Sequence, residues 1–515
     1  MSSNRPAWAS RLGFILAASG SAIGLGNIVF FGANAYQFGG GAFYLPYLIA
    51  LFVVGIPVMM LEFALGRSTR KAFPAAMKQA VGAPGEFVGW WALLNASVIC
   101  AYYVTLLGWV VLMLFGAFGE LWKPSVPTPE YAPETLPNPV GYFFNALASP
   151  WALVAALFVW LLNVLICSKG TKSIEAAVKL FVPAMWLMMI VLVIRGLTLE
   201  GGVDGVLYLF TPDFGAMGQP EVWRGAFSQI FFSLSLGFGL LTAYASYLPK
   251  DANTNSFAIQ TSLLNCAFEY VAGFAIFSML FAFAIVPKAS TLAMSFFVLP
   301  QGIASLPTGV TAFGILFFVL LLVAGLSSSI SLVEGLSSAL IDKFQIPRKR
   351  CLTLVFIFGA LGSVAFAWPK VIDGGLGGDG TLGLTLLDLV DNKAFGYGLL
   401  LVGLAECVLL AWFHGSGKLA EVLGTHGTLK TVFQALVGVI IPAALVLLLG
   451  LSFYDELNAG MYGLQDGGPV KADVIGTDEY QFLAYLAPLA WAAITVGGAL
   501  ALTMMKGRDD EETTA

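Results

Sequence analysis

Apolar stretches long enough to cross a membrane recur along almost the whole chain. A transmembrane helix needs about 20 predominantly apolar residues, with a range of about 17 to 25. Twelve stretches reach this length, at residues 12–37, 41–66, 87–118, 151–167, 175–195, 224–247, 256–286, 310–341, 351–368, 384–413, 430–452 and 480–504. The pattern predicts an all-α integral membrane protein with twelve transmembrane helices.

Small and polar residues interrupt two of these stretches. GSAIGLGN, from Gly20 to Asn27, lies in the first stretch, and SLSLGFG, from Ser233 to Gly239, lies in the sixth. Hydrocarbon tolerates no unpaired backbone, so the interruptions predict unwound helix segments whose backbone groups face a ligand. Broken helices at corresponding positions of two halves indicate a secondary transporter with its site near the bilayer midplane.

The composition supports a membrane protein and gives no sign of an enzyme. Of 515 residues, 58% are hydrophobic and 11% are charged, whereas a soluble domain carries about 25% charged residues. The five cysteines are scattered singly, without the spacing of a metal or redox site. The only histidines, His414 and His426, lie at or in a loop. The sequence contains no evident nucleophile–base set or phosphate loop, so we predict that the protein is not an enzyme.

Basic residues are distributed unevenly between the predicted loops. The loops at 120–150, 200–221, 288–310 and 455–480 are acidic or rich in Pro and Gly. The other loops and both terminal segments hold most of the basic residues, among them Arg5, Lys71, Lys172, Lys343 and Arg508. Because cytoplasmic loops carry an excess of Lys and Arg, we expect both termini in the cytoplasm. The protein would then be a multi-pass protein of the plasma or inner cell membrane.

The two interruptions also predict an internal repeat. Each opens a block of five spans, so residues 1–200 would form the first five-helix repeat and residues 201–414 the second. Because five is odd, the second block enters the membrane from the opposite side, which makes the repeat inverted. Residues 415–515 would add two further helices and a cytoplasmic tail.

Polar residues lie within the predicted spans. They are Glu62, Asn27, Ser233, Ser235, Asn265, Glu269, Ser327, Ser328, Ser329, Glu334 and Glu406. Such residues usually face the bundle interior or a cavity, although Ser residues also serve simply to pack membrane helices closely. Hydroxyls, amide oxygens and freed carbonyls are hard neutral ligands. Together with the two breaks, they favour a site for an alkali cation, whereas no His/Cys cluster suggests a transition metal.

Several separated motifs connect the chain to a known family. They are RPAWASRLGFILAASGSAIGLGN, GGGAFYLPYLIALFVVGIPVMMLEFALG, AYYVTLLGW, QIFFSLSLGFG, TAYASYLPKD, LLNCAFE and AGLSSSISLVE. In these motifs the chain resembles the neurotransmitter:sodium symporters, most of all the bacterial leucine-transporter type of amino acid carrier. The resemblance covers spans 1 to 10 and is weak in the last two spans and the outer loops. It implies the LeuT-like fold, a 5+5 inverted repeat with helices 1 and 6 broken, and sodium-coupled import of an amino acid.

The resemblance implies two sodium sites. The first would use the Ala22 carbonyl, Asn27, Ser233 and Asn265, completed by the substrate carboxylate. The second would use the carbonyls of Gly20, Ile23 and Ala324 and the hydroxyls of Ser327 and Ser328. Helix C-terminal ends concentrate negative potential, which suits a cation at a break. We therefore expect Na⁺ as the coupling ion.

The resemblance also implies a substrate site between the two breaks. Gly24 stands where the monoamine carriers of the family have an aspartate, so we expect a substrate that brings its own carboxylate to the Tyr103 hydroxyl. The carbonyls of Phe232 and Ser235 would receive the amino group. The expected substrate residues are Ala22, Gly24, Leu25, Gly26, Ile99, Tyr103, Leu106, Phe232, Ser233, Ser235, Phe238, Ser328, Ser329 and Leu332. This largely apolar lining favours a neutral, hydrophobic amino acid.

A carboxylate stands where chloride-dependent members of the family have a neutral residue. The resemblance implies that Glu269, near Tyr47, Gln229 and Ser233, supplies the negative charge itself, so that no chloride is required. Glu269 would also be able to carry a proton on the return step. The alternative is that it is a hydrogen-bonded packing residue.

The gates match the family only in part. At the outer gate, relatives pair an arginine with an aspartate, but this chain has Phe30 at the arginine position and keeps Asp391. We expect Phe30 to close the vestibule by packing, with Phe238 as a candidate partner, and Asp391 to be solvated or differently paired. The inner gate matches at Arg5, Trp8, Tyr247 and Asp342.

Other functions stay open at this point. One is a carrier of the same fold that moves a non-proteinogenic amino or sulfonic acid. Another is a channel or sensor, although a channel needs a continuous polar lining and the polar residues here cluster at mid-depth. The expected partners are a small amino acid and the lipid bilayer, with no nucleic acid, and a homodimer is left open.

Overall fold

The chain folds into helices of very different lengths. The computed structural model describes residues 7–123, 138–286, 291–368, 382–459 and 482–507, and these contain no strand. The helices are α1 Arg11–Ala22, α2 Gly26–Gln37, α3 Gly41–Thr69, α4 Phe73–Val81, α5 Ala83–Gly116, α6 Pro139–Leu147, α7 Trp151–Cys167, α8 Thr171–Leu197, α9 Gly202–Phe210, α10 Pro220–Ser233, α11 Leu240–Ala245, α12 Thr254–Ala282, α13 Met294–Ala304, α14 Val310–Phe344, α15 Arg348–Ala367, α16 Gly383–Leu423, α17 Gly427–Asn458 and α18 Tyr485–Met504.

The predicted all-α membrane architecture is confirmed. In the described part of the chain, nine helices are long and apolar enough to cross a membrane, or up to eleven spans when each bent helix pair counts as one. The expected sixth span consists of two shorter helices, α10 and α11. Every stretch predicted from hydropathy thus has a helical counterpart, in agreement with twelve spans.

The first predicted interruption is a true break between α1 and α2. The two helices meet at 58°, and Ile23, which follows α1, has an extended backbone (φ −73°, ψ 104°). The amides freed by the break find side-chain partners. Gly24 N donates to Asn27 Oδ1 at 2.7 Å, and Leu25 N donates to Tyr103 Oη at 3.2 Å. The backbone is therefore satisfied without a continuous helix.

The second interruption lies between α10 and α11. Ser235, Gly237 and Gly239 have φ values of 55°, 75° and 73°, a left-handed region that glycine adopts without steric cost. Gly237 N donates to Glu62 Oε1 on α3 at 3.0 Å, and the Glu62 side chain is completely buried. The Glu62 carboxyl group therefore stabilises the unwound segment. This contact gives a role to one of the polar residues that the sequence places inside a predicted span.

Glycines allow the helices around the breaks to pack closely. A Cβ on Gly108 of α5 would lie 2.7 Å from Ala156 N on α7, and a Cβ on Gly325 of α14 would lie 2.1 Å from a methyl group of Leu107 on α5. Small residues at crossings let membrane helices approach in this way. As a result, α5 packs closely against both α7 and α14.

The contact at Gly108 gives a prediction about stability. Gly108→Ala should lower the unfolding temperature of the purified protein, because the added methyl group meets the α7 backbone and cannot be relieved by a side-chain rotation. Gly450→Ala is the matched control, since a Cβ there has no neighbour within 4 Å. That control should leave stability unchanged or raise it, by up to about 1 kcal/mol, through helix propensity. Equal unfolding temperatures for the two variants would contradict the packing argument.

Candidate functional site

A cavity of about 280 Å³ lies where the two breaks face α5, α14 and α16. Its walls consist of Ser21, Ala22, Gly24, Leu25, Gly26, Asn27, Phe30, Ile99, Tyr102, Tyr103, Leu106, Phe232, Ser233, Ser235, Phe238, Leu240, Leu292, Ser295, Phe296, Ser328, Ser331, Leu332, Leu387, Asp388, Asp391 and Phe395. All of the expected substrate residues except Ser329 are among them. Residues far apart in sequence are thus brought together at the breaks.

Ser329 corrects one expectation. Its side chain is completely buried, and its hydroxyl donates to Asn163 Oδ1 on α7 at 2.8 Å, away from the cavity. Ser329 lies about 100° around α14 from Ser328, and this rotation turns its hydroxyl toward α7. Ser331, three residues after Ser328, lines the cavity instead, and it accepts a hydrogen bond from Ser21 Oγ at 2.7 Å. Helical spacing from Ser328 would have identified it.

Gly24 and Gly26 are required by close contacts. A Cβ on Gly24 would lie 2.6 Å from Ser328 Oγ and 2.9 Å from Tyr103 Oη. A Cβ on Gly26 would lie 2.5 Å from the Phe232 ring. Neither position has room for any larger residue, so the polar groups around Gly24 reach the backbone of the break directly.

A first polar cluster joins α2, α10 and α12. Asn27 Nδ2 lies 3.0 Å from Ser233 Oγ, 2.8 Å from Asn265 Oδ1 and 3.3 Å from Glu269 Oε1, and Asn265 Nδ2 lies 2.6 Å from Ser233 Oγ. All four side chains are buried. The cluster therefore holds three neutral oxygens, Asn27 Oδ1, Asn265 Oδ1 and Ser233 Oγ, which are ligands of the kind that an alkali cation prefers.

Glu269 lies behind this cluster and is completely buried. Its carboxyl group accepts hydrogen bonds from Gln229 Nε2 and Ser233 Oγ, both at 2.7 Å, and from the Tyr47 hydroxyl. These are the three neighbours expected from the sequence. Each described donor is neutral, so hydrogen bonds stabilise the carboxyl group in a fully buried position.

A second cluster of oxygens joins the end of α1 to α14. Ser327 Oγ lies 3.1 Å from the Ile23 carbonyl and 2.7 Å from the Ala324 carbonyl. Ser328 Oγ lies 3.1 Å from the Ser21 carbonyl and 3.3 Å from that of Ile23. Gly20 packs against the same side of α14, since a Cβ there would lie 3.5 Å from Ser327 Cβ. The Ser21 carbonyl was not expected from the sequence.

The donor chemistry of both clusters fits a sodium ion. Hydroxyls, amide oxygens and helix-end carbonyls are hard neutral ligands, and the negative end of the α1 dipole adds to their potential. Within the described ranges, no group of three or more His, Cys, Asp or Glu residues could hold a metal ion. The clusters therefore suit an alkali cation.

The residues expected at the outer gate pack differently from the prediction. Phe30 is half-buried, and its ring lies 5.4 Å from that of Phe232 and 6.2 Å from that of Phe395, measured between centroids. The expected partner Phe238 lines the cavity but does not appear among the described ring contacts of Phe30. Asp391 accepts a hydrogen bond from Tyr102 Oη at 2.6 Å. Of the two expectations for Asp391, solvation or a different partner, the structure therefore agrees with the second.

The expected inner-gate residues lie on the other side of the cavity. Trp8 is buried and donates from Nε1 to the Tyr244 carbonyl at 2.9 Å. Asp342 accepts from Ala72 N at 2.7 Å. Arg5 lies outside the described residues.

An ion pair that the sequence did not predict lies beside the inner gate. Tyr247 donates to Glu334 Oε1 at 2.8 Å, and Glu334 forms an ion pair with Arg348. Glu334 is completely buried in α14, and Arg348 belongs to the first turn of α15. In the sequence, the only indication of this pair was that Glu334, a carboxylate, lies within a predicted span.

Comparisons with known proteins agree with this geometry. The model of the sodium:neurotransmitter symporter family matches residues 5–129 and 145–465. An uncharacterised sodium-dependent transporter of Methanocaldococcus jannaschii is 38% identical over 474 residues, covering 89% of this chain and 92% of that protein. The sodium-dependent serotonin transporter of Drosophila melanogaster is 31% identical over 465 residues, covering 82% and 72%. The crystal structure of MhsT in complex with L-phenylalanine matches with a TM-score of 0.74 and 31% identity, over 87% of this chain and 99% of that one.

The chain therefore belongs to the sodium:neurotransmitter symporter family. The resemblance stated from the motifs and the LeuT-like fold are both confirmed. The family consists of secondary transporters and not of enzymes. The protein is a sodium-dependent, multi-pass membrane transporter that binds a small-molecule substrate within the membrane.

Proposed function

We propose that this transporter imports a neutral, hydrophobic amino acid together with sodium by alternating access. The observation that supports this proposal most is the cavity itself, where mostly apolar side chains surround the Tyr102 and Tyr103 phenols and the backbone of two broken helices. MhsT, which was crystallised with L-phenylalanine, supports the same substrate class through its 31% identity. Both termini lie in the cytoplasm in this proposal, in keeping with the distribution of Lys and Arg between the loops.

The proposed substrate lies with its carboxylate at the first break. The Tyr103 hydroxyl is hydrogen-bonded to Leu25 N at 3.2 Å, and the adjacent N-terminal end of α2 favours a negative charge. The amino group faces carbonyls of the second break at Phe232 and Ser235, where the left-handed turn opens the helix. The apolar side chain of the substrate lies against Ile99, Leu106, Phe238 and Leu332, which line the cavity.

Binding of the proposed substrate and sodium is coupled through shared segments. One sodium ion lies at the cluster of Asn27, Ser233 and Asn265, where the Ala22 carbonyl and the substrate carboxylate complete its ligands. A second lies between α1 and α14 at Gly20, Ile23, Ala324, Ser327 and Ser328. Because both ions hold the same broken helix that forms the substrate site, each ligand strengthens binding of the other by the same factor.

The substrate class is tested by a binding screen. Purified protein is incubated with each of the radiolabelled proteinogenic amino acids, and with β-alanine and taurine, in sodium or in an equal concentration of potassium. We expect sodium-stimulated binding of aliphatic or aromatic amino acids. Preferential binding of β-alanine or taurine would favour the alternative, a carrier of a non-proteinogenic amino or sulfonic acid. Sodium-independent saturable uptake would contradict the coupling mechanism.

The sodium sites give a prediction for three substitutions. Asn27→Ala, Asn265→Ala and Ser328→Ala each remove an oxygen ligand from a buried cation. Each should weaken sodium-stimulated binding by at least about tenfold, since even the loss of an indirect contact to a metal ligand often has that effect. Ser329→Ala is the control, because its hydroxyl faces Asn163 and not the cavity. Binding titrations against sodium, with thermal unfolding as a check on folding, measure the effect. Equal losses for Ser328→Ala and Ser329→Ala would argue against the second site.

Glu269 gives a prediction about chloride. Its buried carboxylate supplies the charge that chloride provides in other carriers, so replacing chloride by gluconate should leave uptake unchanged. Glu269→Ser removes that charge and should make uptake depend on chloride, whereas Glu269→Gln keeps the size of the side chain but leaves less room for an anion. Uptake into proteoliposomes at several chloride concentrations measures both variants. Chloride-stimulated transport by the native protein would contradict the proposal.

The outer gate gives a prediction about substrate release. Asp391→Asn keeps an oxygen for the Tyr102 hydroxyl, so it should change substrate dissociation by less than about fivefold, the cost of weakening one charged hydrogen bond. Phe30→Ala removes two ring contacts and should speed dissociation more, while sodium affinity stays near the native value. Dissociation of bound radiolabelled amino acid after dilution measures both. If Asp391→Asn abolishes transport and Phe30→Ala is silent, the gate is electrostatic.

A further inference from the structure

A third phenylalanine completes the aromatic contact above the cavity. Phe395 of α16 lies 4.1 Å from Phe232 between ring centroids, at an interplanar angle of 76°, and 6.2 Å from Phe30 at 84°. Phe30 and Phe232 are themselves 5.4 Å apart at 85°. All three rings are half-buried and line the cavity. All three angles are edge-to-face, as aromatic pairs prefer, and the Phe395–Phe232 pair is closer than the usual separation of about 4.5 to 7 Å.

Phe395 is held in place by hydrogen bonds to α5. It lies in a π-helical part of α16, Asn392–Leu399. The carbonyl of the preceding residue, Ala394, accepts a hydrogen bond from Asn95 Nδ2 at 2.7 Å. Asn95 is buried, and its Oδ1 accepts from Trp491 Nε1 on α18 at 2.8 Å. The backbone next to Phe395 is therefore hydrogen-bonded to α5 directly and connected to α18 through the Asn95 side chain.

Asp391 supplies a second anchor one turn earlier. Its carboxylate accepts from Tyr102 Oη at 2.6 Å, and Tyr102, like Asn95, belongs to α5. The hydrogen bonds at Asp391 and Ala394 therefore join α16 to α5 on the N-terminal side of Phe395. In contrast, Phe30 and Phe232 belong to α2 and α10, which begin or end at the two breaks.

We infer that Phe395 is the fixed half of an aromatic outer gate, against which Phe30 and Phe232 close over the cavity. This inference rests on the proposed transport function and adds Phe395 as the third ring, the partner of Phe30 and Phe232. Asp391 then acts as a positioning residue that orients α16 through Tyr102. A gate of this kind holds by excluding water from apolar rings, so salt does not screen it as it would screen an exposed charge pair.

The first test measures retention of tritiated L-phenylalanine. The amino acid is bound in sodium and its dissociation is followed after dilution, for the native protein, Phe395→Ala and Phe395→Tyr. Loss of two ring contacts in Phe395→Ala should speed dissociation by about tenfold. Phe395→Tyr keeps the ring and should stay within about twofold of the native rate. Phe297→Ala is the matched control, because Phe297 is also half-buried and contacts the rings of Phe143 and Phe144 but does not line the cavity.

A double variant tests whether Phe30 and Phe395 form one gate. If they do, removing the second ring adds little once the first is gone, so Phe30→Ala/Phe395→Ala should dissociate much more slowly than the product of the two single effects predicts. A native dissociation rate in Phe395→Ala, or single effects that multiply fully in the double variant, would overturn the inference. An equal acceleration in Phe297→Ala would do the same, because it would show general loosening.

The second test does not depend on the identity of the substrate. Leu106→Cys places a thiol in the cavity wall, and the five native cysteines are all buried. A membrane-impermeant thiol reagent is applied in sodium without amino acid, and Phe395→Ala should raise the labelling rate of this cysteine severalfold. If no amino acid binds to the native protein, the proposed function fails while this measurement still decides about the gate. An unchanged labelling rate overturns the inference.

Discussion

Hydrocarbon offers no partner to a free amide or carbonyl, and the whole site depends on how two broken helices meet that constraint. At the second break, the buried carboxyl of Glu62 binds Gly237 N. At the first break, Tyr103 binds Leu25 N, and Ser327 binds the Ile23 carbonyl. Side chains from three other helices therefore stabilise the opened backbone. A carbonyl such as that of Ile23 keeps a second lone pair for a ligand, whereas each bound amide has used its only hydrogen.

In the proposed mechanism, the first break links the ions to the substrate. The first break contributes to both oxygen clusters, through Asn27 on one side and the Ile23 carbonyl on the other. It also forms one wall of the cavity. A cation at either cluster would hold this segment in one conformation, and the substrate needs that conformation. In the proposed mechanism, coupling requires no separate signal between distant sites, since one short segment carries all three contacts.

At the expected outer gate, this chain has aromatic contacts where the resemblance to the family implies an arginine–aspartate pair. With Phe30 at the arginine position, Asp391 pairs with Tyr102 within the helices that surround the cavity. The rings of Phe30, Phe232 and Phe395 line the cavity and contact one another edge to face. Asp391 is half-buried, and the Tyr102 hydroxyl stabilises its carboxylate by donating a hydrogen bond. The presence of Phe30 in place of the arginine thus agrees with the pairing of Asp391 with Tyr102.

The sequence by itself determined the helices and both breaks, because apolar length and runs of small residues are local properties. The resemblance to the family, and not a local pattern, supplied thirteen of the residues that line the cavity. It also pointed to Asn265 and Glu269, which lie four residues apart on one helical face. Only the tertiary structure decided the rotation of each helix, which turned Ser329 toward Asn163 and Ser331 toward the cavity. The same holds for Phe395 and for the Glu334–Arg348 pair, since their partners lie on other helices. Contacts between helices depend on how whole helices pack, and no local pattern in the chain encodes that arrangement.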